Sequence, residues 1–129
     1  MAIGWSTQQD ISIAQVRELI GYKIADGSTS FEELLCALNY FGVSASIKKI
    51  NSLQGLISHG VCIIDLEAKG ISNRKYDYEG NHYVLITGVE GDYFVVQDPL
   101  SGPDQLYDQQ EVWDSTAYLF VITVQKLRR

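Results

Sequence analysis

The sequence predicts an α+β domain, with helices in its first half packed on an antiparallel sheet formed by its second. Three observations carry that reading. Ahead of residue 61, apolar side chains recur at helical spacing, as in Phe31, Leu34, Leu35 and Leu38. From Val61 onward they come in short runs, VCIIDLE, HYVLITGVE, YFVVQDP and AYLFVITVQ, separated by turn residues. Helices that come first and strands that follow form a segregated α+β pattern rather than an alternating α/β one. The 129 residues suit one domain over 1–129, since domains commonly hold about 100 to 150 residues, and no repeat, low-complexity tract or linker divides them.

The elements follow in order. Asp10 is placed to cap a helix starting near Ile11, with Ile13, Val16, Leu19 and Ile20 on one face and Gly21 after it. Ser30 and Glu33 form a capping box for a second helix with an apolar face from Phe31 to Phe41, ended by Gly42. SLQGLISHG reads as a third, short helical turn that leads into VCIIDLE, a run apolar enough for a strand covered on both faces. AKGISNRKYDYEGN is a polar, exposed loop leading to His82. HYVLITGVE and YFVVQDP then flank Gly91 as a hairpin, and AYLFVITVQ supplies a last strand.

Composition narrows the function. Ten basic against sixteen acidic residues give a net charge of −6, and the basic residues form no stripe, which argues against nucleic-acid binding. No apolar run approaches the roughly 20 residues of a membrane span, so no membrane insertion is expected. MAIGWSTQQD lacks the basic flank and apolar core of a signal peptide. Two cysteines in dissimilar segments, Cys36 and Cys62, fit reduced thiols in a cytoplasmic setting. Two histidines without metal-ligand spacing, and dispersed glycines, give no metal and no cofactor site; His59 sits before Gly60 in a loop.

One stretch does carry chemistry. In NHYVLITGVEGDYFVVQDPLSG, His82 heads the first strand and Asp98 ends the second. A base needs a carboxylate to hold its tautomer and support its charge, and this pair has the right types. Asp98 can equally do no more than start the Pro99 turn. Loop length decides whether the two meet. A three-residue loop of Glu90, Gly91 and Asp92 sets Asp98 opposite Val84, on the His82 face, whereas a two-residue loop sends the side chains to opposite faces.

These residues resemble a family, the papain-like cysteine peptidases that remove double-glycine leaders from bacteriocin precursors. DGSTSFEELLCALNYFGVSA, GLISHGVCIIDL, the His-to-Asp-Pro hairpin and EVWDSTAYLFVIT match in family order, from about residue 26 to 125. The resemblance implies a papain-like fold, shortened at its N-terminus, with His82 as base and Asp98 as its orienter. It also implies a nucleophilic Cys at the start of the first helix. If DISIAQVRELIG is that helix, Ile11 takes the nucleophile's place; if the next helix is aligned instead, the nucleophile helix is missing.

The other candidates do not fill the gap. Cys62 lies between Val61 and Ile63 in an apolar strand, where a thiol is inert. Cys36 lies mid-helix on the polar side, without the free amides of a helix start that lower a thiol pKa. Ser6 and Ser12 are the hydroxyls near the expected position, and Gln8 or Gln9 echoes by position the oxyanion-hole glutamine. Tyr76, Tyr78, Tyr83, Trp5 and Trp113 are candidates to line a groove. The expected function is therefore a non-catalytic peptidase-type domain that binds a peptide or protein partner, with Tyr83, Trp113 and Gln9 in contact. The alternative is a cysteine peptidase or amidase whose nucleophile comes from a missing segment or another chain.

Overall fold

Described residues in the structure, a computed structural model, are 11–12, 16–17, 30–40, 44–72, 74–75, 80–117, 119–124 and 127–128. Ile11–Ser12 is a short strand, β1, and Val16 and Arg17 are helical. Helix α1 spans Phe31–Tyr40. Its capping box is closed: the Ser30 amide donates to Glu33 Oε1 at 3.0 Å and the Glu33 amide donates to Ser30 Oγ at 3.1 Å. Strand β2 (Ala45–Lys49) leads to helix α2 (Leu53–Ser58), whose first turn is capped by Ser52, 3.0 Å from the Gly55 amide. Strand β3 (Cys62–Glu67) ends in one 3-10 turn at Ala68–Gly70. Strands β4 (Asn81–Glu90), β5 (Tyr93–Asp98) and β6 (Gly102–Asp108) form a meander, followed by helix α3 (Gln109–Asp114), β7 (Phe120–Val124) and β8 (Leu127–Arg128).

Six strands make one antiparallel sheet in the order β2-β7-β3-β4-β5-β6. Side chains alternate across it, and each face has its own core. On one face Ile64, Leu66, Val84 and Phe94 pack with Leu56 of α2 and Val112 of α3. On the other, Ile63, Leu85 and Ile122 pack with Leu34 and Leu38 of α1 and with Val16. Burial on both faces is why Cys62, Ile63, Ile64 and Leu66 of β3 are apolar whichever way they point, Asp65 being the buried exception.

The structure departs from the sequence reading at the start of the chain and at the edges of the sheet. The helix expected from Ile11 does not begin there: Ile11 and Ser12 pair in parallel with Leu127 and Arg128, and that partner from the far end of the chain outweighs local helical spacing. The rest of that expected helix lies outside the described residues, Val16 and Arg17 excepted. Strands β2 and β6, not foreseen, are the two edges of the sheet. Edge strands need no apolar alternation, and these carry Lys48, Lys49 and Pro103, residues that discourage further pairing.

Candidate active site

The β4–β5 hairpin decides where His82 and Asp98 point. Glu90 pairs with Tyr93, so the turn holds two residues, Gly91 and Asp92, with Gly91 at φ +59°. A positive φ at the first turn position is what glycine supplies. By register alone this short loop would separate His82 from Asp98. A β-bulge between Ile86 and Gly88 corrects it. Thr87 is the extra residue, and beyond it Leu85 faces Gln97, which continues the ladder with Asp98 opposite Val84. The expectation of opposite faces for a two-residue loop is thus overturned, because one added residue on a single strand reverses the alternation.

The two side chains meet. His82 Nε2 lies 3.1 Å from Asp98 Oδ1, and both side chains are fully buried. The Asp98 carboxylate accepts three more bonds. The amides of Leu100 and Ser101 donate to Oδ1 at 2.8 and 3.3 Å, and the Tyr107 hydroxyl lies 2.7 Å from Oδ2. Asp98 therefore both starts the Pro99 turn and holds the imidazole. Burial alone would raise its pKa; bonds from His82, Tyr107 and the Leu100 amide outweigh burial, and the carboxyl is held below its usual value. The Tyr107 hydroxyl also lies 3.0 Å from Ser101 Oγ, which accepts from the Lys75 amide at 3.2 Å, so the dyad is joined to the segment before β4. Tyr107 has no signal in the sequence, since its strand β6 shows no period to place it.

The thiols stand elsewhere. Cys62 pairs with Ile86 while His82 pairs with Leu66, four residues along β3, or roughly 13 Å at a strand's rise. Burial pushes the Cys62 thiol up to about 12. Cys36 is exposed on α1, a helix that packs on the face of the sheet opposite the imidazole. Trp113 packs against the α2–α3 core and Tyr83 belongs to the α1 core, so the two aromatic candidates lie on different faces and do not share a groove. His59 caps the C-terminus of α2. Ser12 lies in β1, while Trp5, Ser6, Gln8, Gln9, Tyr76 and Tyr78 lie outside the described residues. Among the described residues no cluster of side chains suits a metal, and no helix is long and apolar enough to cross a membrane.

The model of the Peptidase_C39 like family matches residues 5–119. The chain belongs to that family. No curated protein matches it. Among solved structures it is similar to a double glycine motif protease from an AMS/PCAT transporter, in complex with its leader peptide. That match has 25% identity and a TM-score of 0.59, and covers 86% of this chain and 69% of the other. It is also similar to the peptidase domain of Streptococcus ComA, a bifunctional ABC transporter, at 14% identity and TM-score 0.59 over 98% of this chain and 86% of that one. The Streptococcus mutans ComA peptidase domain, solved with a small-molecule inhibitor, matches at 12% identity and TM-score 0.58, over 90% and 98%. These last two speak for the fold, the antiparallel sheet and helices of the papain-like C39 peptidases.

Proposed function

We propose that this domain binds an extended peptide or a protein partner on a papain-like scaffold and does not itself cleave it. The observation that carries this reading is the position of the chain's two thiols. Cys62 is a buried, protonated core residue four positions down the sheet, and Cys36 is an exposed residue of a helix on the other face. A thiol peptidase needs its sulfur within hydrogen-bond reach of the imidazole, and His82 has neither. The imidazole is also sealed from solvent by its surroundings, which suits a bond that holds structure more than a base that meets substrate. The peptide class comes from the double glycine motif protease, which was solved with a leader peptide.

The test uses the whole chain and peptides ending in a double-glycine motif. Expected are saturable binding by isothermal calorimetry and no cleavage by mass spectrometry on prolonged incubation. A rival reading draws on the intact 3.1 Å contact: the chain is half of a thiol hydrolase, with the nucleophile from another segment or chain. Cleavage by the chain alone, abolished by His82→Ala but untouched by Cys36→Ser and Cys62→Ser, would sink the binding reading and point to Ser6, Ser12 or a water activated by His82; that rival instead requires cleavage only when the missing segment or chain is added.

A further inference from the structure

Asp65 sits in the middle of the sheet with a debt that the fold does not settle. It lies on β3 opposite Tyr83 of β4, and alternation places both side chains on the α1 face, away from the His82–Asp98 pair. Asp65 is 8% exposed, and its Oδ1 is buried without a hydrogen-bond partner. Glu67, two residues on and opposite Asn81, points to the same face about 7 Å away. Each position next to Asp65 on β3, Ile63, Ile64 and Leu66, is apolar and fully buried, so nothing in local packing calls for a charge there. An unsatisfied buried acceptor is costly, and one kept in a fold calls for an explanation, of which a ligand that supplies the donor is one.

We propose that Asp65 is the seat of a basic side chain of the bound peptide, an ammonium or guanidinium that donates to its buried oxygen beside the Tyr83 ring. The inference rests on the peptide-binding reading and adds a ligand class to it. A cation answers each feature of the site. It supplies the missing donor, it neutralises a carboxylate held away from water, and Tyr83, paired opposite on β4 with its Cβ about 5 Å from that of Asp65, puts an aromatic side chain next to the same charge. Glu67, half-exposed at the strand end, draws the charge in, and the chain's net charge of −6 acts in the same sense over a longer range.

The probes are Nα-acetyl-argininamide, its lysine counterpart and, as the uncharged control, Nα-acetyl-norleucinamide. Each is titrated into the full chain and into Asp65→Asn while the backbone amides of β3 and β4 are followed by NMR. Expected are saturable shifts at Asp65 and Tyr83 with the two cationic probes, absent with norleucinamide and lost in Asp65→Asn, whose thermal midpoint is measured to confirm that it is folded. Double-glycine peptides with arginine in place of norleucine should bind about tenfold or more tightly to the native chain, and equally to Asp65→Asn. Cationic probes that leave β3 and β4 unmoved, or that shift the native chain and Asp65→Asn alike, overturn the proposal. If the small cations bind at Asp65 but no double-glycine peptide binds, the cation seat stands and the peptide-cleft reading falls.

Discussion

Asp98 and Asp65 lie on the two strands that flank β4, and their surroundings push them in opposite directions. Asp98 is held below its ordinary value by the bonds that overcome its burial. Its contribution to stability is therefore present above the unfolded value of about 3.9 and is lost as pH falls through the lower, folded value. Asp98→Ala should cost about 3 to 5 kcal/mol in urea unfolding at pH 7, because it strands a buried imidazole, and the deficit should narrow below about pH 3.9. Asp65 is raised by burial, only partly opposed by the charge of His82. Its sign is reversed: the fold favours the protonated form, and stability is lost as pH rises from the unfolded value through the folded one. Asp65→Asn should gain about 1 kcal/mol at pH 7 and nothing well below pH 3.9, by the same unfolding measurement. A neutral-pH loss of stability in Asp65→Asn would mean that the carboxylate is satisfied after all.

At the scale of elements, local chemistry in the sequence was a good guide where an element is periodic and a poor one where it is not. The Ser30–Glu33 box formed as expected, and Ser30→Ala should lower stability by about 1 kcal/mol with a matching loss of amide protection in the first turn of α1. Cores for α1, β3, β4 and β5 were legible because their apolar spacing mirrors the faces they bury. Strands β2 and β6 were not, being polar edges, and β1 was read as helix because its partner lies at the other end of the chain. Residue types alone pointed to the His82–Asp98 pair, yet whether it meets depended on Thr87, a bulge that no spacing rule announces. Tyr107 was hidden with β6, and Asp65 was hidden inside a run read as uniformly apolar.

Across the whole molecule, the sheet divides the two thiols into different worlds. At pH 8, iodoacetamide should modify Cys36 rapidly in the native chain and leave Cys62 unmodified until denaturant is added, as intact mass would report, since burial holds the Cys62 thiol up to about 12. Fast native labelling of both would show that the α2–α3 core opens readily.

The strand order also sets a timetable. Strand β7 lies between β2 and β3, pairing with both, and yet it is made after every other strand of the six. As the chain leaves the ribosome, β3 to β6 can form their meander, but β2 has no neighbour until Phe120–Val124 emerges. Until then the flank of β3 that β7 will cover stays open, with its amides and carbonyls ready to pair with any strand nearby. The sheet is closed from the inside by its last-made piece, so chains stopped short of β7 should accumulate as aggregates, and the full chain should fold only once translation has released its C-terminal strands.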